Sequence, residues 1–320
     1  MTQYVTDGGL ETDLIFHFDA DLPEFAAFPL VEDEDGRALL TRYYDRYAAI
    51  AAQAGVGLLL EAPTWRANPD WAAKVGYDLA ALDRVNRASV ELMQGLREKY
   101  ERELGLTEVK VGGLSGPRGD GYVAGEDADP DEAAEYHAHQ ARAQTAAGAD
   151  LMTALTFTGA GEAIGFVRAV RDAGVPVAVG FTVEIDGRLP DGTTLRDAIA
   201  RVDAAAAPDY YVVNCAHPTH VAPGLASEDG SYGLWLSRIE GLRPNASRMS
   251  HAELDEAPEL DEGDPADLAA RTDDLRAHLP NLRVVGGCCG TDSRHVAALW
   301  GLRPSSTSET DPGQATPGCR

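Results

Sequence analysis

Two adjacent cysteines stand inside a glycine run, Gly286-Gly287-Cys288-Cys289-Gly290, directly after the apolar stretch Leu282-Arg283-Val284-Val285. A third, Cys215, follows the apolar stretch Tyr210-Tyr211-Val212-Val213-Asn214. The chain holds four cysteines, so three of the four end segments with strand character. Three thiolates gathered at one end of a sheet suit Zn²⁺ by softness and by tetrahedral preference. Closed structural sites use four protein ligands, whereas three leave a position where a further thiol can be bound and activated. Neighbouring residues on a regular strand point to opposite faces, so Cys288 and Cys289 can share one ion only if the chain turns after the strand. The flanking glycines permit that turn.

Two histidines follow Cys215 in a C-x-H-x-x-H spacing, and His217 or His220 as a fourth ligand would close the site. The open site, with Cys215, Cys288 and Cys289 as its protein ligands, is the expectation. Other strand ends also carry chemistry. Asp7 sits before Gly8-Gly9 and reads either as a turn aspartate or as the acceptor of a substrate ammonium group. Glu61 precedes Ala62-Pro63-Thr64-Trp65-Arg66. It reads either as half of a rim salt bridge with Arg66 or, with the π face of Trp65, as a holder of a cationic group. The run Gly112-Gly113-Leu114-Ser115-Gly116 lacks the lysine and hydroxyl of a phosphate loop. Cys319 is assigned no role.

These residues are positioned by alternating strands and helices. Strands are expected at residues 4–6, 57–61, 109–114, 150–157, 177–183, 210–214, 241–245 and 282–285, the seventh being the weakest. Helices are expected at residues 39–54, 79–103, 131–147, 162–173, 194–206, 265–278 and 292–300. Eight short apolar strands alternating with helices predict an α/β fold, a (β/α)8 TIM barrel, over residues 1–302. A doubly wound open sheet is the alternative. In a barrel the catalytic face lies at the C-terminal ends of the strands. Closure makes the first and eighth strands neighbours, so Asp7, Cys215, Cys288 and Cys289 converge on one arc of the rim. The polar segment 222–262 is expected to elaborate that face. Residues 303–320 are rich in Ser, Thr, Pro and Gly and read as a disordered tail.

The net charge of −25 disfavours nucleic acid and anionic membranes as partners. An apolar fraction of 44% is ordinary for a globular chain, and no run of 18 or more apolar residues marks a membrane span. Met1-Thr2-Gln3-Tyr4 lacks the features of a signal peptide, so a cytoplasmic location with reduced cysteines is expected.

Taken together, Asp7-Gly8-Gly9-Leu10-Glu11-Thr12, Asn214-Cys215 and Gly286-Gly287-Cys288-Cys289-Gly290-Thr291 resemble the homocysteine S-methyltransferase family. That family includes the S-methylmethionine- and betaine-dependent enzymes and the homocysteine domain of methionine synthase. The resemblance covers roughly residues 4 to 302. It implies a (β/α)8 barrel with Zn²⁺ on Cys215, Cys288 and Cys289, and places Asp7 and Gly8 at the amino-acid end of homocysteine. With Asp7 and the three cysteines as catalytic residues, it adds Glu61, Trp65 and Asn214 as substrate-binding candidates. The implied partners are a small-molecule thiol and a methyl donor, a sulfonium being favoured, and homo-oligomer formation stays open. The chain departs from the family at Val213, where members often have glycine, and at Leu155. There many members carry a glutamate that contacts the substrate amine, and Glu61 or Glu184 is the candidate replacement. Two other readings are a different thiol or selenol acceptor, and a non-catalytic zinc- or redox-sensing barrel.

Overall fold

The computed structural model describes residues 1–123, 125, 127–226, 232–257 and 259–302. The expected tail, with Cys319, lies outside them. Eight parallel strands close on themselves in chain order. They are β1 (Tyr4–Val5), β2 (Gly57–Glu61), β3 (Val109–Ser115), β4 (Leu151–Phe157), β5 (Val177–Phe181), β6 (Tyr210–Asn214), β7 (Ile239–Arg243) and β8 (Val284–Val285). Closure is made where Tyr4 pairs with Val284 and Val5 with Val285. The open-sheet alternative is thereby excluded.

Between the strands run α1 (Leu10–Phe18), α2 (Glu34–Ala54), α3 (Pro69–Lys74), α4 (Leu79–Leu104), α5 (Pro130–Ala146), α6 (Ala160–Ala173), α7 (Leu195–Ala206), α8 (Pro218–Leu225), α9 (His251–Asp255), α10 (Pro265–Arg276) and α11 (Ser293–Leu299). Their boundaries follow local chemistry. Asp33, Asp78, Asp129, Thr194 and Asp264 each cap a helix by accepting from backbone N–H groups of its first turn. The helix expected at residues 39–54 begins five residues earlier, at Glu34, because Asp33 supplies that cap. The helix α1 was not anticipated. It is short, and Gly9 opens it without a capping side chain.

The strands alternate in the way a barrel requires. Tyr4, Leu59, Leu114, Leu151, Leu155, Ala178, Tyr210, Val212 and Val284 form one buried cluster. Their neighbours Val5, Leu58, Leu60, Val111, Phe157, Val179, Phe181 and Val213 pack outward into the clusters beneath the helices. On the α6 side, Phe166 meets Phe157 edge-on at 5.6 Å and is 1% exposed. No helix among the described residues is long and apolar enough to cross a membrane.

Emptying the space behind β4 should be costly. Phe166→Ala is expected to lower unfolding free energy by about 3–5 kcal/mol, the usual range for a buried phenylalanine. Denaturant titration measures it, and a loss below 1 kcal/mol would mean that this layer is not tightly packed.

Candidate active site

A cavity of about 710 Å³ opens at the C-terminal ends of the strands. The segment expected to elaborate this face does so, through His251, Leu254, Ala257, Glu259, Leu260 and Asp261 in its wall.

At one side the three expected thiols come together. One Sγ from each of Cys215, Cys288 and Cys289 lies within 4.8 Å of the others. Cys215 and Cys288 are joined as a disulfide with Cα atoms 5.3 Å apart, and Cys289 is a free thiol 3.8 Å from the Cys215 sulfur. A tetrahedral zinc with Zn–S bonds of about 2.3 Å spaces its sulfurs by about 3.8 Å. The Cys215–Cys289 spacing meets that value, and two-electron reduction of the Cys215–Cys288 pair would free both of those sulfurs to join Cys289 as donors. The donor set therefore fits a soft, tetrahedral ion. Burial pushes the Cys289 thiol up. His217 and His220 are not members of the cluster. The His217 ring caps α8 through Thr219, and burial lowers it to about 4.

Irregular backbone aims these sulfurs. β8 ends at Val285, so both cysteines of the pair lie in a turn beyond the strand. That turn is stitched on two sides. Gly287 N–H donates to the Asp7 carbonyl at 2.8 Å, and Cys288 N–H to that of Pro244 at 2.8 Å. Gly9 must be glycine because a Cβ there would stand 2.5 Å from the Cys288 carbonyl oxygen. Cys215 has a φ of 54° and Thr156, at the facing end of β4, a φ of 65°. Such left-handed residues are held by their surroundings at a cost of order 1–3 kcal/mol. The Cys215 carbonyl accepts from His251 Nε2 at 2.7 Å, Asn245 Nδ2 at 3.1 Å and Thr182 Oγ1 at 3.3 Å.

Asn214 links the two turns. Its Oδ1 accepts from Thr156 N–H at 3.0 Å and its Nδ2 donates to Thr156 Oγ1 at 2.9 Å. It is 1% exposed and does not line the cavity. Its expected place at the substrate is thus corrected: both ends of the amide are spent on the scaffold.

Asp7, Gly8, Glu61 and Trp65 do line the cavity. Their expected roles as free acceptors do not match their surroundings. Arg243, at the end of β7, donates from Nη2 to Asp7 Oδ1 and from Nη1 to Glu61 Oε2. Asp7 Oδ2 accepts from Tyr43 Oη at 3.1 Å, and Thr6 Oγ1 bonds to both carboxylates, at 3.2 and 3.3 Å. Arg243 Nε donates to the Gly287 carbonyl at 2.9 Å. Burial opposes the Arg243 charge, but Asp7 and Glu61 outweigh it and hold the guanidinium firmly protonated. Glu61 therefore pairs with Arg243 and not with Arg66. Glu184, the other candidate replacement, faces His251 Nδ1 at 3.1 Å. Leu155 borders the cavity where an acid was the family expectation. The indole of Trp65 is covered by the Arg66 guanidinium, 4.1 Å from the ring centroid, so that π face is taken.

Sequence reasoning missed Arg243, Tyr122 and Glu11. Tyr122 Oη lies 3.4 Å from the Cys289 sulfur and 3.5 Å from that of Cys215, with its ring 4.5 Å from that of His251. Glu11 lines the cavity, and burial pushes its carboxyl up to about 7. Glu11 and Thr12 stand in the Asp7–Thr12 motif, but nothing in the spacing singles out Glu11.

A closed barrel with three thiols at its rim and a cavity beside them is the frame of a thiol-centred (β/α)8 transferase. The sequence profile described as Homocysteine S-methyltransferase matches residues 4–301, and the chain belongs to that family of S-methyltransferases. Solved structures of homocysteine methyltransferase MmuM from Escherichia coli share its fold. The oxidised form superposes with a TM-score of 0.72 at 22% identity, covering 93% of this chain and 95% of that one. The metallated form gives 0.71 at 22% identity, covering 94% and 96%. No curated protein sequence matches the chain at a significant level.

Two outcomes are expected from this geometry. Asn214→Ala removes two buried hydrogen bonds between left-handed turns and should cost about 1–3 kcal/mol in denaturant titration. An unchanged midpoint would show that the turns hold without it. Arg243→Met leaves Asp7 and Glu61 buried without a counter-charge and should cost about 3–5 kcal/mol near neutral pH. Burial already pushes Glu61 above the usual carboxylate range. Without Arg243 that shift grows, and a raised folded-state pKa means that stability is lost as pH rises above the unfolded value of about 4. The deficit should therefore shrink on acidification, and a deficit independent of pH would argue against it.

Proposed function

We propose that the protein transfers a methyl group from a sulfonium donor to the thiol of homocysteine, giving methionine, with Zn²⁺ held by Cys215, Cys288 and Cys289. S-methylmethionine is the first choice of donor and S-adenosylmethionine the second. The observation that carries this reading is the meeting of three cysteine sulfurs at one rim, with the Cys215–Cys289 spacing of 3.8 Å suited to one tetrahedral ion once the Cys215–Cys288 pair is reduced.

Zinc bound there supplies a Lewis acid that makes a fourth thiol ionise near neutral pH. The chain's own residues do the rest. The turns around Cys215 and Gly287 fix the three sulfurs, so an acceptor joining them arrives with its position set. The wall of the cavity holds the donor's methyl carbon in line with the acceptor sulfur, which removes much of the entropic part of the barrier. The acceptor sulfur forms a bond to that carbon, the old carbon–sulfur bond breaks, and its electron pair stays on the leaving sulfur. That sulfur leaves as a neutral thioether, so no general acid is required, and the thiol proton passes to solvent. The carboxyl groups around the cavity favour a cationic donor. Cytoplasmic residence would keep Cys215 and Cys288 reduced and able to bind metal.

One observation favours a second reading, a different thiol or selenol acceptor. Both oxygens of Asp7 are already engaged, and Leu155 offers no charge to an amine.

Reduced, zinc-loaded protein should convert homocysteine and S-methylmethionine to methionine, measured by mass spectrometry. Cys288→Ala should remove most of the metal and lower the rate by more than the roughly 10- to 100-fold that loss of an outer-shell partner costs, since a ligand itself is lost. Methylation of another thiol but not homocysteine would select the second reading. Absence of methyl transfer to any thiol, from any sulfonium or betaine donor, would overturn both.

A further inference from the structure

The charged groups nearest the expected substrate position are unavailable, and one charged group without a protein partner takes their place. Asp7 and Glu61 are 8% and 3% exposed at their side chains and are bound to Arg243. Arg66 is 8% exposed and borders the cavity. Its Nε and Nη1 are buried and make no hydrogen bond, and it forms no ion pair within 4 Å among the described residues. Two indoles pack against it, with ring centroids 4.1 Å (Trp65) and 3.4 Å (Trp71) from its central carbon. These contacts restrict the guanidinium and leave Nε and Nη1 without a hydrogen-bond partner. Buried donors without partners cost about 1–3 kcal/mol each, more when charged. A guanidinium edge matches a carboxylate, two oxygens to two N–H groups.

The acidic groups around Arg66 do not supply that partner. Asp120 is the strongest charge influence on Arg66, but its Oδ1 accepts from the N–H groups of Tyr122 and Val123, at 2.8 and 3.2 Å, and neither oxygen forms an ion pair with Arg66 within 4 Å among the described residues. Glu24 lies 3.7 Å from Lys74. Glu11 shares the cavity with Arg66, and no ion pair or side-chain hydrogen bond engages its carboxyl group among the described residues. A guanidinium with unpaired N–H groups and a carboxyl group without a side-chain partner among the described residues, in one cavity, suit a ligand that carries both charges itself and whose ammonium group favours the ionised form of Glu11.

We propose that the cavity recognises an α-amino acid through Arg66, which receives its carboxylate, and Glu11, which receives its ammonium group. Arg66 and Glu11 are then specificity-determining residues, while Asp7 and Glu61 serve the framework. This rests on the methyl-transfer reading for the identity of the ligand, and on the partnerless guanidinium for its chemistry. The carboxylate arrives on the acceptor thiol or on the sulfonium donor, since both are amino acids in the favoured reaction.

Methionine, 4-(methylthio)butyrate and 3-(methylthio)propylamine separate the two charges. The second lacks the ammonium group and the third lacks the carboxylate. Their binding to zinc-loaded protein is read by calorimetry and by fluorescence of Trp65 and Trp71, without turnover. Arg66→Gln should weaken methionine and 4-(methylthio)butyrate by about 10- to 100-fold, the usual loss for a charge-assisted hydrogen bond, and leave the amine unaffected. Glu11→Gln should weaken methionine and the amine and spare the butyrate. Arg66→Lys should recover part of the loss, because it keeps the charge without the fork. Circular dichroism and the melting midpoint check that each variant is folded.

Turnover assigns the source. If Arg66→Gln raises the KM for homocysteine but not for 3-mercaptopropylamine, the carboxylate is the acceptor's. If it raises the KM for S-methylmethionine but not for trimethylsulfonium, the carboxylate is the donor's. Equal loss for all three binding probes, or none, would overturn the proposal, since the Arg66 nitrogens would then be satisfied by water or matter only to packing. Carboxylate-selective binding without any methyl transfer would uphold Arg66 and sink the methyl-transfer reading instead.

Discussion

The rim of this barrel is organised around one buried guanidinium. Arg243 reaches from β7 to carboxylates just after β1 and at the end of β2, 236 and 182 residues away in sequence, and to the backbone of the turn that carries Cys288. Two carboxylates and one cation buried together leave one negative charge uncompensated. Such clusters are tolerated when further hydrogen bonds satisfy the buried charges. Thr6, Tyr43 and the Nη1 and Nη2 groups of Arg243 supply them to both oxygens of Asp7 and to Glu61 Oε2. The same bonds fix the distance between the first strand and the thiol turn, because the chain's N-terminal and C-terminal strands meet at this point. The thiol cluster thus depends on an ion cluster that contributes no ligand to it.

A second constraint is imposed by geometry rather than charge. Regular strands would send Cys288 and Cys289 to opposite faces, and would aim Cys215 to one face of the sheet. The protein departs from regularity three times within a few ångströms. It does so at the turn after Val285, at Cys215 and at Thr156. Each departure is paid in hydrogen bonds to side chains from other strands, with Asn214 joining two of them. Where strained backbone is held this firmly, small side-chain losses should be felt at the sulfurs before they are felt in the fold.

The sequence made the barrel legible because its signals are local. Short apolar runs bounded by Gly, Pro or Asp placed β2 and β6 to the residue. The seventh strand read poorly because Ile239–Arg243 includes Glu240, Gly241 and Arg243, and a strand that ends in a charge looks like a loop. That charge turned out to be the centre of the site. The three cysteines were legible because the glycine-flanked pair is unusual and barrel closure brings its neighbours into register. The roles of Asp7, Glu61, Trp65 and Asn214 were not, because each depends on a partner far away in sequence. A carboxylate at a strand end looks the same whether it awaits a substrate or already holds an arginine. Closeness in sequence makes pairing with Arg66 one of two candidate roles for Glu61, but Glu61 pairs with Arg243 while Arg66 packs against Trp65 and Trp71.

The charge pattern around the cavity bears on which substrates it can take. Under the proposed reaction, three thiolates holding one divalent cation would carry a net negative charge, as the cluster of Arg243, Asp7 and Glu61 does when both carboxyl groups are ionised. Glu11 adds another when ionised, and only Arg66 opposes them. A sulfonium centre entering this field is stabilised wherever the wall holds it, and the stabilisation falls as its charge disappears in methyl transfer. Taken alone, that would slow the reaction, since ground-state binding lost in the transition state raises the barrier. The acceptor sulfur loses its negative charge in the same step, so the two changes offset each other if both centres sit in the same field. A neutral donor would forgo that balance. Separate recognition of the amino-acid charges lets binding energy be drawn from groups whose charge does not change during the reaction. Arg66, packed against two indoles and bordering the cavity, is placed to provide it.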